Sequence, residues 1–225
     1  MSRFRSPHRS RHSLRRWPKL RAPAQHWWLE IRPPRLPDFP ALKFAPGEMA
    51  SIRDHLGADR VTAFERDRAT PSAYHDSQPG RYTFVHFAAH ATANVESPLD
   101  SAVILSGPDN AYKLYARDVA ALPLNAELVT VSACRSAGER AYSGEGLVGF
   151  AWAFLRAGAR RVIAGLWDVE DRSTAQLMDG LYGQLAAGVS PAQALRQAKL
   201  DLIKKGGVIA SPHAWGAFEL FTVIP

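Results

Sequence analysis

From residue 39 onward the apolar positions alternate between two textures. Short runs dense in β-branched and aromatic residues are separated by longer stretches with a helical period. The buried-strand runs are RYTFVHFAAH (81–90), AELVTVSA (126–133) and RRVIAGLW (160–167). Shorter strands are predicted at RVTAF (60–64), SAVILS (101–106) and YKLY (112–115), and a final one at WGAFELFTVI (215–224). Helices are predicted at APGEMASIRDHL (45–56), ARDVAAL (116–122), GEGLVGFAWAFLRAGA (144–159), 171–188 and 190–206. Punctuation supports these boundaries. Thr70-Pro71 reads as a cap with a first-turn proline, Gly158 as a helix stop, and Ser190-Pro191 with Gln193 as a capping box. Asp171 reads as the N-cap of the helix that follows it. Trp152, Trp167 and Trp215 read as core residues. Strands alternating with helices imply an α/β fold, a mostly parallel sheet with helices on both faces.

Residues 1–38 do not share this texture. They carry ten Lys/Arg against two Asp/Glu, a charge of +8 within a chain of net +7. The remainder is therefore close to neutral, and any nucleic-acid contact is expected through the tail and not the domain. Arg, Ser, His and Pro dominate the tail. That composition predicts a basic, disordered segment over 1–38, with the domain running over 39–225. No apolar run is long enough to cross a membrane. A single cysteine in 225 residues excludes an internal disulfide framework and a multi-thiolate zinc site. It points to a reducing, cytoplasmic compartment.

The chemistry concentrates in two strings, HFAAHA (86–91) and SACRSAGE (132–139). In parallel α/β sheets reactive groups collect at the carboxyl edge of the strands. His90 is expected to end one buried strand, and Cys134 lies just past the end of another. If those strands are neighbours, about 4.8 Å apart, the two side chains can meet above the edge. A thiol with an imidazole beside it and backbone N–H groups aimed at a developing oxyanion is a complete apparatus for acyl transfer, with no metal or cofactor. By residue type alone, a single buried cysteine and a histidine in an apolar strand are more often plain core residues. The expectation therefore rests on their joint placement, and it collapses if the two lie far apart or if either is sealed inside the protein.

Two other chemistries fit less well. Cys134 and Arg140 have the Cys-x5-Arg spacing of a phosphate cradle, but Glu139 would place a negative charge inside an anion nest. His86 and His90 have His-x3-His spacing, but Phe87 stands where a zinc protease carries glutamate.

SACRSAG resembles the caspase nucleophile string, with His90 44 residues upstream of Cys134. The ordered set HFAAHA, VSAC, SGEGLVGFAWAFLRAGA, VIAGLWDVED and SPHAWGAFEL is closer still to the CHAT family, caspase-like domains usually found beside TPR repeats in bacterial proteins. The resemblance implies a three-layer caspase-like sandwich and a cysteine endopeptidase that hydrolyses peptide bonds in a protein substrate. It implies Cys134 as nucleophile, His90 as base, the backbone N–H groups of Ala91 and Cys134 as oxyanion donors, and His86 as a supporting residue. Asp168, Glu170 and Asp171 would line a pocket suited to a basic substrate side chain. Glu145 would serve a structural role at a helix start. The family usually carries glycine at the position of Ala91. Its first central strand has no evident counterpart before residue 45, where prolines interrupt PRLPDFPALKF. The sequence thus predicts an N-terminally truncated domain lacking that strand, with any TPR-containing regulator acting in trans. The rival reading is a non-catalytic caspase-like module that binds a partner.

Overall fold

The computed structural model describes residues 26–30, 39, 41–94, 96–108, 111–132 and 145–223. Its frame is a six-stranded sheet. The strands are β1 (His26–Glu30), β2 (Val61–Glu65), β3 (Phe84–Ala88), β7 (Leu128–Ser132), β8 (Arg161–Gly165) and β9 (Phe218–Thr222), in the order β2-β1-β3-β7-β8-β9. All neighbours are parallel except β8 and β9. A smaller antiparallel sheet joins β4 (His90–Thr92), β5 (Ala102–Ile104) and β6 (Lys113–Tyr115).

The sheet is covered on both faces, as period-two alternation in β3 and β7 requires. Val85, Phe87, Val129 and Val131 face one core, with Tyr74 of α2 (Pro71–Asp76), Val119 of α3 (Ala116–Ala121) and Phe150 and Phe154 of α4 (Glu145–Ala157). Phe84, Ala88 and Leu128 face the other. There they meet α1 (Ala45–Leu56), α5 (Asp171–Ala186) and α6 (Pro191–Lys205) through Ile52, Leu181 and Ala198 among others. A short α7 (Pro212–Trp215) precedes β9.

Most predicted elements are present, and α1 has the predicted bounds. Thr70 caps α2 by accepting the Ala73 N–H at 3.0 Å. Gly158 ends α4 at a φ of +116°, and a β-carbon there would lie 2.2 Å from the Leu124 carbonyl oxygen. That position admits glycine alone without rearrangement.

Several expectations are corrected. The first central strand is not missing. It is β1, which pairs in parallel with β2 on one side and β3 on the other, His26 standing level with both Val61 and Phe84. The strand lies inside the segment expected to be a basic tail. Its pentapeptide HWWLE precedes the prolines that interrupt the later apolar runs, so its whole backbone is able to pair. The run 81–90 is not one strand either. Pairing with β7 stops at Ala88, and His90 opens β4 in the second sheet. Ser190 does not form the expected capping box; its hydroxyl donates to the Gln193 side chain at 3.1 Å. Trp152 is 48% exposed and lies under the Arg156 guanidinium, where its flat face meets a cation rather than the core. Trp167 and Trp215 are half-buried.

Candidate active site

β3 and β7 are adjacent and parallel, and their register pairs Phe84 with Leu128, His86 with Thr130 and Ala88 with Ser132. The last rung is followed by a contact from the Ala89 N–H to the Ser132 carbonyl at 3.4 Å. His90 comes two residues after Ala88, and Cys134 two residues after Ser132. Cys134, Glu139 and Arg140 lie outside the described residues.

His90 is 1% exposed. The ring of Phe39 covers it with a centroid separation of 5.8 Å. Ala91 sits in β4 opposite Val103. Among the described residues other than glycine, the positive-φ positions are Arg66 and Gln78. Ala91 thus holds an extended backbone that any residue adopts, and the alanine found where the family usually has glycine costs this conformation nothing.

The acidic residues after β8 separate into two groups. Asp168 and Glu170 are exposed. Asp171 is half-buried and is the first residue of α5, while the cap position is Glu170. Instead of capping α5, its carboxylate accepts the Phe44 N–H at 2.7 Å, tying α5 to the start of α1. Burial raises the Asp171 pKa above the ordinary carboxylate value. The Phe44 N–H opposes the rise, repulsion from Glu48 adds to it, and His90 pulls weakly the other way. Asp171 and His90 therefore share one electrostatic environment at the sheet edge.

His86, expected from the resemblance to be a core or supporting residue, finds its partners on α1 and α5. It is fully buried on β3. Its Nε2 lies 2.7 Å from Glu48 Oε1 on α1, and its Nδ1 lies 3.1 Å from the Tyr182 hydroxyl on α5. Tyr182 in turn donates to Thr130 Oγ1 on β7 at 3.0 Å. The tyrosine packs edge-on to the imidazole, with centroids 5.4 Å apart. Burial pushes its hydroxyl pKa well above the usual value, so Tyr182 is a neutral donor. No set of three or more His, Cys, Asp or Glu residues suited to a metal occurs among the described residues.

A model of the CHAT domain matches residues 3–224. This chain belongs to the CHAT family. Among curated proteins it is 30% identical over 107 residues to tetratricopeptide repeat protein 28 of Mus musculus, a match spanning 48% of this chain and 4% of that protein. Its fold is caspase-like. It superposes on the Arg-specific cysteine proteinase gingipain R with a TM-score of 0.57 at 13% identity, over 88% of this chain and 46% of that one. It superposes on a chain of the Saccharomyces cerevisiae separase–securin complex with a TM-score of 0.55 at 12% identity, over 89% and 12% of the two chains. The CHAT match starts well before residue 39, consistent with β1 belonging to the domain. No helix among the described residues is long and apolar enough to cross a membrane.

Proposed function

We propose that this CHAT domain is a caspase-like cysteine endopeptidase in which Cys134 attacks a peptide carbonyl and His90 moves the proton. The supporting observation is the β3–β7 register. Ala88 and Ser132 are level, and His90 and Cys134 each follow two residues later in sequence. In the reaction the sulfur adds to the carbonyl carbon, and the imidazolium protonates the leaving amine to give a thioester. Water then releases the acid and restores the thiol. The N–H groups of Ala91 and Cys134 would hold the oxyanion. The acidic residues Asp168, Glu170 and Asp171 favour a basic side chain next to the scissile bond, and Asp171 interacts electrostatically with His90. The tetratricopeptide character of the curated relative favours a TPR-containing protein as regulator.

His90 is sealed beneath Phe39 in this structure, so the reading applies only to a state in which that ring has moved away. Substrate entry must displace that ring, so Phe39→Ala is expected to speed active-site labelling in proportion to the gain in uncovered protein. The direct test is an acyloxymethyl ketone bearing a basic side chain. It should label the wild-type protein at Cys134 and spare Cys134→Ala. Equal labelling of both proteins, or none in the presence of a TPR-containing partner and with Phe39→Ala, would favour a non-catalytic interaction module.

A further inference from the structure

Four buried side chains link four elements that lie beneath the candidate site. Glu48 comes from α1, His86 from β3, Tyr182 from α5 and Thr130 from β7. Their order along the hydrogen bonds fixes much of the proton inventory. The Tyr182 hydrogen is directed at Thr130, so Nδ1 of His86 must donate to the Tyr182 oxygen. Nε2 then either donates to a Glu48 carboxylate or accepts from a Glu48 carboxylic acid. In both arrangements one proton lies between Glu48 and His86, and the pair is neutral overall. A neutral, fully bonded pair is the form in which such groups tolerate complete burial.

The position of this chain of bonds along the strands is informative. His86 and Thr130 are direct register partners. His86 stands four residues before His90, and Thr130 stands four residues before Cys134. Tyr182 bonds to both, so one hydroxyl joins the two strands by their side chains at a rung that lies four residues before each site residue in sequence. Backbone ladders alone do not specify register strongly, because a slipped pairing restores the same kinds of backbone bonds. A slip of one residue would turn Thr130 to the opposite face and leave the buried Tyr182 hydroxyl without its acceptor, at a cost the native pairing does not bear.

We infer that the Glu48–His86–Tyr182–Thr130 chain is a positioning device that holds β3 and β7 in the register from whose last rung, Ala88 and Ser132, the chain leads to His90 and Cys134. The inference rests on the dyad reading and adds to it a reason for a buried histidine and tyrosine that touch no substrate. Tyr182 and Thr130 are positioning residues, acting through the strands.

The test reads Cys134 itself. Iodoacetamide alkylation of Cys134 is followed against pH in the full-length protein, with the folded state of each variant checked by circular dichroism. Wild type is first compared with His90→Ala. An alkylation profile displaced toward acid in wild type and lost in His90→Ala reports the coupled dyad. Identical profiles would defeat the dyad reading, and this inference with it. With the coupling present, Tyr182→Phe and Thr130→Val are expected to lose most of the acid displacement. Their alkylation rate at neutral pH should fall by about tenfold, within the range that small misplacements of reacting groups produce. Thr130→Ser keeps the acceptor and should retain the wild-type profile. Should Tyr182→Phe fail to fold, the Thr130 pair alone decides. If Thr130→Val melts earlier yet keeps the wild-type profile, the chain of bonds only stabilises the domain. The positioning role is then overturned while the dyad reading stands.

Discussion

The same two strands, β3 and β7, carry polar residues at two levels, and the levels are built on opposite terms. At the middle rung, His86 and Thr130 are buried and bonded into a chain that takes in Glu48 and Tyr182. At the last rung, Ser132 is buried and its hydroxyl has no hydrogen-bond partner among the described residues. Just beyond it, His90 lies under an aromatic ring and Asp171 is held above the usual carboxylate range by burial. The inner level is satisfied and rigid. At the outer level the Ser132 hydroxyl is left unspent among the described residues.

This contrast can be broken from the inside first. Glu48→Ala should be the most damaging change, because it leaves His86 sealed in the core with an unanswered nitrogen. A loss of about 3–5 kcal/mol is expected by denaturant unfolding. Replacing both partners, Glu48→Leu with His86→Leu, should recover much of that loss, since an apolar pair requires no hydrogen bonds. If the double variant is no more stable than Glu48→Ala, the two residues do not act as a neutral pair.

At the outer level the effects are smaller and depend on pH. Asp171 binds its proton more tightly in the folded chain than in the unfolded one. Its contribution to stability is therefore fully present below the ordinary value of 3.8 and is lost as pH rises through the raised folded-state value. Asp171→Asn removes that dependence while keeping an acceptor for the Phe44 N–H. Thermal unfolding should find the variant gaining on wild type between pH 3.5 and pH 7, whereas a constant or shrinking difference would contradict the assignment. Asp179, on the same helix, provides the opposite sign. Burial raises its carboxyl, but hydrogen bonds from Ser51 and His55 outweigh this and hold it below the usual range. Its contribution is present above the ordinary value and is lost as pH falls through the lowered one. Smallest of all should be Ser132→Ala, within about 0.5 kcal/mol of wild type and tending to stabilise, because the hydroxyl removed has no partner among the described residues.

What the sequence disclosed follows the same division. Periodic apolar stretches announced α1, α5, α6, β3, β7 and β8, because each buries a regular face. β1 was hidden because composition governs the reading of so short a segment. HWWLE sits in an arginine-rich stretch, and its strand character comes from pairing on both sides with residues 35 and 58 positions away in sequence. The end of β3 at Ala88 was hidden because the apolar run continues through Ala89 without a turn signal. A histidine amid the apolar residues of β3 did signal a buried partner. Nothing local could name Glu48 or Tyr182, which lie 38 and 96 residues away. The His90–Cys134 pairing stays a proposal from strand ends and family resemblance, since Cys134 lies outside the described residues, and the Phe39 ring over His90 was not foreseeable because it arrives from a proline-rich connection with no period.

The most direct measurement is a crystal structure of the protein carrying an acyloxymethyl ketone adduct on Cys134. The account predicts Phe39 displaced and a His90 ring nitrogen about 3–4 Å from the Cys134 sulfur, the separation at which proton transfer and attack are effective. A modified sulfur with His90 still sealed beneath Phe39 and pointing elsewhere would contradict it.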